Sequence, residues 1–325
     1  MSVRRALVVL TILAVGAAGG VAAWARHARH APDGQHPVRV GTGPEREASL
    51  LAHVLVALLE ADDVAADVVE FADARDARQA VELGDVEVVP SYTGAVWMDA
   101  LGLVDPPRDP AASYERVSRA DARRHPLEWL APTGVNATLA FVVQRPPARE
   151  WMDDLEDLAT VLASTDDAAR DEDLPRLCVH AEFASRSDGL AEVVRVYVIR
   201  TDRTLDEFVR TQVLAVPPED AVRGVERGEC VAGLTTRTDG NAWVRGLKPL
   251  DDPRGVFPAF VVAPVIHEGL RRTHPQAVAA LDPFRELNEE LLRRWNGRLV
   301  LDEPVEAVAA EAAATLRERS RRPRT

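Results

Sequence analysis

The stretch ADVVEFADARDARQAVELGDVEVVPSYTG, residues 66–94, decides the fold. Ala66 to Phe71 reads as a strand, Ala74 to Leu83 as a helix, and Val86 to Pro90 as a second strand. Strands separated by helices indicate βα units and a parallel sheet. Upstream, Pro37 to Gly41 reads as a short strand ending in the turn Gly41-Thr42-Gly43-Pro44. Apolar residues then recur at helical spacing through Leu50, Leu51, Val54, Leu55 and Leu58. The pattern repeats after Asp153, with helices around Leu155–Leu162, Leu190–Ile199 and Pro218–Arg227. Strands are expected there at Leu177–His180, Thr211–Val216 and Cys230–Leu234. Two apolar segments, Ala137–Gln144 and Phe257–Ile266, read as strands crossing between two lobes. The stretch from Glu268 to about Arg319 is mostly amphipathic helix, expected to pack on the first lobe. Two such lobes place a ligand cleft between them, at the carboxyl ends of the strands.

At 325 residues the chain suits two lobes of ordinary size, and 46% hydrophobic with 28% charged residues is globular composition. A net charge of -13 argues against a nucleic-acid surface, which needs clustered Lys and Arg. Lys248 is the only lysine, so basic charge rests on arginine.

At the N-terminus, Arg4 and Arg5 precede an uncharged run from Ala6 to Ala25, followed by Arg26, His27, Arg29 and His30. Residues 1–25 therefore read either as an export signal cut after Ala25 or as an uncleaved membrane anchor, since about 20 apolar residues can span a bilayer. Either way the rest of the chain is expected outside the cytoplasm. Residues 26–36 form a polar linker, and His27 with His30 reads as a basic membrane flank. Cys178 and Cys230 are the only cysteines. Export permits a disulfide between them. The alternative is two buried thiols, because neighbouring parallel strands rarely offer disulfide geometry.

Several stretches together resemble the substrate-binding proteins of ABC importers for glycine betaine, choline and related quaternary-ammonium compatible solutes. Leu83 to Gly94 is similar to that family's "sGdiDiyPeYtGT" signature, and Trp129 to Thr138 to its "WLkPlGfNNTya" segment. Glu182 to Leu190 is similar to "eFltRpDGl". Thr238-Asp239-Gly240, Leu247, Leu250-Asp251-Asp252 and Phe257-Pro258-Ala259-Phe260 follow the order of its last conserved block. The resemblance spans about residues 38 to 310 and implies an α/β, two-lobe periplasmic-binding-protein-like fold of type II. Two doubly wound lobes are expected, joined by two crossing strands: residues 37–138 with 250–325, and 139–249.

The family cages a trimethylammonium group in aromatic rings, because a cation over a ring face is attracted by the ring quadrupole. Tyr92 occupies one cage position and Tyr197 another, but Leu139 and Thr236 stand where two further tyrosines are expected. Ala48, after Glu47, replaces a glutamine. Two lost rings weaken cation binding by roughly 1 to 4 kcal/mol. Phe183, Trp243, Phe257 and Phe260 are candidates to compensate. Arg237 repels a bare cation and suits an anionic group instead. Thr93 and Gly94 are expected to offer a hydroxyl and N–H groups to a ligand carboxylate. Thr42, Gly43 and Glu45 are read as ligand contacts or as an ordinary turn and cap. Asn136 and Thr138 are read as serving ligand or hinge, and Tyr197 as cage or core. Arg186 pairing with Asp188, and Asp239 fixing a turn, are expected to be structural.

No His-Glu-x-x-His, Gly-x-Ser-x-Gly, Walker-type phosphate loop or Cys-x-x-Cys is present. The chain therefore reads as a binding protein, not an enzyme, with no cofactor and no metal. Its expected partners are a small-molecule solute and separate ABC permease and ATPase subunits. Nucleic acid is not expected, and the membrane is met through the N-terminal segment or the permease. The protein is expected to be a monomer. Two alternatives are a membrane-anchored sensor or interaction domain of the same fold, and a binding protein for another anionic or zwitterionic solute.

Overall fold

The computed structural model describes residues 36–144, 150–163, 174–186, 188–197 and 204–322. The expected leader and all but the last residue of the linker lie outside these. The first sheet begins with β1 (Val38–Thr42), the helix Arg46–Glu60, β2 (Ala66–Glu70), the helix Ala74–Leu83 and β3 (Val88–Tyr92). β1 pairs in parallel with both β2 and β3. β3 starts two residues later than the sequence suggests. Gly84, at φ 77°, closes the preceding helix, and the N–H groups of Asp85 and Val86 turn back to the Ala80 carbonyl. Only from Glu87, which donates to the Arg39 carbonyl, does the chain join the sheet. The helix Arg46–Glu60 buries Leu50, Leu51, Val54, Leu55, Leu58 and Leu59 along one face. Each contributes about 1.5 to 3 kcal/mol by leaving water.

After the helix Pro110–Ala122 and β4 (Leu127–Trp129), the chain crosses to a second sheet. That sheet holds β5 (Leu139–Val143), β6 (Leu177–Val179), β7 (Val213–Ala215), β8 (Ala232–Thr236) and β9 (Lys248–Pro249). The chain then returns through residues 250–261 to β10 (Val262–His267). The strand orders are β2-β1-β3-β10-β4 and β7-β6-β8-β5-β9. Strands joined through helices run parallel, as expected, but β5 and β10 run antiparallel to their neighbours. Both arrive directly from the other sheet and enter beside the carboxyl end of a resident strand, Leu139 opposite Thr236 and Val262 opposite Tyr92. The crossings themselves are extended segments tied by an isolated bridge, Asn136 to Val261, so the strands are shorter than expected. The C-terminal helices Glu289–Val300 and Val305–Arg321 pack back on the first sheet's core. Among the described residues no helix is long and apolar enough to cross a membrane.

Cys178 and Cys230 form a disulfide, with Cα atoms 5.6 Å apart. The objection from parallel strands does not apply, because Cys178 in β6 lies in register with Gly233, while Cys230 sits before β8 begins. Gly224 makes room for the bridge: a Cβ there would lie 2.4 Å from the Cys178 sulfur.

Beneath the helix Ala74–Leu83, Asp121 is fully buried and accepts hydrogen bonds from Arg78 at 2.5 and 2.9 Å and from the Trp129 indole at 2.7 Å. The His125 ring sits 2.8 Å away. Burial alone would raise the Asp121 carboxyl, but the bonds and charge of Arg78, with Trp129 and His125, outweigh it and hold the pKa below the usual carboxylate value. Asp121 thus ties the helix Ala74–Leu83 to β4.

Closing a 52-residue separation is worth about 4 kcal/mol on the chain-entropy scale. Reduction should therefore lower stability by about 2 to 4 kcal/mol in urea unfolding, and Gly224→Ala should destabilise the oxidised protein but scarcely affect the reduced one. Equal Gly224→Ala losses in both states would show that the glycine serves something other than the bridge. Asp121→Asn should cost about 3 kcal/mol at neutral pH. A carboxyl whose folded pKa is depressed stabilises above its unfolded value, here 3.8, and loses that contribution as pH falls through the folded pKa. The gap between wild type and variant should therefore narrow in unfolding curves taken below pH 3.8; a gap independent of pH would refute the assignment.

Candidate functional site

The carboxyl ends of β1 and β3, the first turn of the helix Arg46–Glu60, the length of the helix Ala74–Leu83 and the segment after β3 line a cavity of about 590 Å³. Thr42, Gly43, Glu45, Glu47 and Tyr92 line one end of it, and Arg78, Glu82 and His125 the other. Its floor is apolar, from Ala77, Val89 and Val96. Gly43 suits the tight turn: a Cβ there would lie 2.6 Å from a Glu45 carboxylate oxygen and 3.0 Å from the Ala74 nitrogen. Glu45 occupies the N-cap position of the helix Arg46–Glu60, but its side chain makes no capping bond and lies over Gly43 instead.

Glu47 is the junction of the site. Its carboxylate accepts from the Tyr92 hydroxyl at 2.8 Å and from the Asn296 amide at 2.7 Å. The same amide donates to the Thr238 carbonyl at 2.9 Å, in the turn after β8 of the second sheet. Burial raises the Glu47 carboxyl above its usual value; hydrogen bonds from Thr238, Tyr92 and Asn296 pull it back, and the charge of Asp239 adds to the rise. Burial, followed by the charge and hydrogen bond of Glu47 and the charge of Glu45, pushes the Tyr92 phenol well above its ordinary range. Tyr92 therefore stays a neutral donor, and it is the only Phe, Tyr or Trp among the described residues lining the cavity. A phenol ring with carboxylates close to its hydroxyl is an arrangement suited to an organic cation.

The candidates read from the sequence divide between this cavity and others. Thr42, Gly43, Glu45 and Tyr92 line it, although the Thr42 hydroxyl is turned to the Gly43 carbonyl at 3.1 Å. Asn136, Thr138, Leu139 and Arg237 line a second cavity of about 830 Å³ along the crossings. There the Asn136 side chain accepts from Phe260 N–H at 2.7 Å, and the Thr138 hydroxyl donates to the Pro258 carbonyl at 2.5 Å. The Arg237 guanidinium is held by Glu289 at 2.9 Å, Asp251 at 3.0 Å and the Leu250 carbonyl at 3.2 Å. Thr93, Gly94, Tyr197 and Thr236 line neither cavity. The Thr93 hydroxyl donates to Ala259 O and accepts from Ser113 and from Val261 N–H, binding the second crossing to β3. Gly94 faces the Phe260 ring. Tyr197 is buried in the second core, where its hydroxyl donates to Asp252 and accepts from Arg254 N–H. Arg186 and Asp188 pair with each other, and Asp239 caps the helix Gly240–Val244. Phe183 and Phe257 pack together on Phe141, away from Tyr92.

Glu47 and Asn296 escaped the sequence reading. Glu47 appeared only as the residue before Ala48, and nothing local in the sequence marks its partners. Asn296 sits in an amphipathic helix without any local signal. The helix carrying it meets the helix Gly240–Val244, which follows β8, along a close seam, because a Cβ on Gly240 would lie 2.4 to 2.6 Å from the backbone of Asn296 and Gly297. Arg293 lies over the Trp243 ring on the same seam, 5.3 Å from its centroid.

Comparison with known proteins places these features in one family. Residues 36–315 match the family model OpuAC, described as the substrate-binding domain of ABC-type glycine betaine transport systems. The glycine betaine-binding protein YehZ of Escherichia coli K12 is 26% identical over 285 residues, covering 82% of this chain and 86% of that protein. A glycine-betaine-binding protein of Pseudomonas aeruginosa is 28% identical over 238 residues, covering 72% and 73%. The structure of apo YehZ superposes with a TM-score of 0.74 at 25% identity, covering 86% of this chain and 98% of that one. The crystal structure of a glycine betaine/carnitine/choline ABC transporter gives the same TM-score at 19% identity, with coverage of 86% and 98%, and supports the fold. The chain belongs to the OpuAC family, the extracytoplasmic solute-binding domains of ABC-type glycine betaine transport systems.

Proposed function

We propose that this protein captures a quaternary-ammonium solute of the glycine betaine or choline class at Tyr92 and hands it to an ABC permease and its ATPase. The observation that carries the reading is the Tyr92 ring, bonded through its hydroxyl to Glu47 and close to Glu45, in a cavity at the carboxyl ends of β1 and β3. Magnitudes explain how the site works without two of the family's rings. A desolvated ring contributes about 0.5 to 2 kcal/mol to holding a cation. A carboxylate about 4 Å from the cation contributes about 1 kcal/mol in water and about 4 kcal/mol at the effective dielectric near a protein surface. Glu45 and Glu47 can therefore replace what Leu139 and Thr236 do not supply. The lobes, residues 37–138 with 250–325 and residues 139–249, close on the ligand by movement about the two crossings. Residues 1–25 either direct export or anchor the chain to the membrane, and the protein acts as a monomer.

Calorimetric titration with glycine betaine, choline, carnitine, proline betaine and ectoine tests the reading. Binding near the micromolar range, about -8 kcal/mol, is expected for at least one of the quaternary-ammonium compounds. Tyr92→Ala should weaken it roughly two- to thirtyfold. Folded protein that binds none of the quaternary-ammonium compounds would sink the proposal.

A further inference from the structure

A zwitterion has a second end, and the groups expected to hold its carboxylate are committed elsewhere. Arg237 is bound by Glu289 and Asp251 in the other cavity, and the Thr93 hydroxyl is spent on the second crossing. Within the Tyr92 cavity, Arg78 is held by Asp121 and Glu82. The start of the helix Ala74–Leu83 is closed by its own cap, since the Asp73 carboxylate takes the N–H groups of Arg75 and Asp76. The remaining guanidinium in the lining is that of Arg75, which is exposed and has no ion-pair or side-chain hydrogen-bond partner among the described residues. It lies beside Ala74, whose backbone nitrogen packs against Gly43, so its side chain starts at the mouth where Glu45 and Tyr92 also stand. Gln79, one turn further on, offers an uncharged amide to the same cavity.

Given that the cavity is the ligand site, we infer that Arg75 holds the carboxylate of a zwitterionic ligand and sets the preference of this protein for betaines over plain quaternary ammonium cations. The cavity then offers opposite charges to the two parts of the ligand. The ammonium lies at Tyr92 between Glu45 and Glu47, and the carboxylate meets the planar fork of Arg75, which can engage both oxygens at once. Choline carries the same ammonium group with a hydroxyl in place of the carboxylate. It uses the first of these charges and not the second.

Paired titrations of glycine betaine and choline into wild type, Arg75→Gln, Arg75→Lys and Arg75→Glu test the inference. Loss of a charge-assisted pair should weaken glycine betaine about ten- to a hundredfold in Arg75→Gln, with choline changed by less than about threefold. Arg75→Lys should recover part of the loss, because it keeps the charge without the fork. Arg75→Glu should abolish glycine betaine binding and strengthen choline, a gain that structural damage cannot produce. Equal weakening of both ligands, or no effect on glycine betaine, would overturn the role of Arg75 while leaving the ligand site intact. Wild type that binds neither would remove the proposed function and this inference with it.

Discussion

The layers around the two sheets meet where Gly240, at the start of the helix Gly240–Val244, lies against the backbone of the helix Glu289–Val300, which packs on the first sheet's core. A side chain at Gly240 would overlap the carbonyl of Asn296, and one at Gly297 would come within 2.7 Å of the Trp243 ring. Backbone packed against backbone leaves no flexible side chain to absorb a shift, so the seam fixes where Asn296 stands. From there its amide reaches Glu47 and Thr238 together, joining the helix Arg46–Glu60 to the turn after β8. Glu47 in turn orients the Tyr92 hydroxyl. The position of the cavity's aromatic ring thus depends on a contact made by two glycines far from it in the chain.

The crossings illustrate how polar side chains are spent. Buried donors and acceptors must be paired, and an extended segment between two sheets has few ladder partners. Thr93, Asn136 and Thr138 supply them. The Thr93 hydroxyl uses its one donor and both acceptor sites on Ala259, Ser113 and Val261. Residues of a type and position that suit ligand contact are here the fastening of the crossings to the first sheet and to each other.

The chemistry of the cavity shifts the weight of recognition from ring quadrupoles to charge. Its lining includes Glu45 and Glu47 beside Tyr92 but, among the described residues, no second aromatic ring of the Phe, Tyr or Trp kind. Coulombic attraction reaches further than contact with a ring face and is weakened by salt. Such a site trades the shape selectivity of a closed cage for sensitivity to the sign and placement of charge on the solute.

The sequence by itself determined the alternation of strands and helices, the two lobes with their two crossings, and the family. It also marked Tyr92 and the Gly41–Pro44 turn. These follow from periodicity, turn residues and short motifs, which act over a few residues along the chain. Only the tertiary structure decided which polar groups face the cavity. Arg237 was drawn away by Glu289, 52 residues distant in sequence, and Tyr197 by Asp252, 55 residues distant. Asn296 reached Glu47 across a separation of 249 residues. The disulfide likewise depended on where Cys230 stops short of β8, an offset that no strand pattern specifies. A side chain's partner is chosen by the packing of whole elements, and hydrogen-bonding capacity, which is all that residue type reveals, is compatible with many partners until that packing is made.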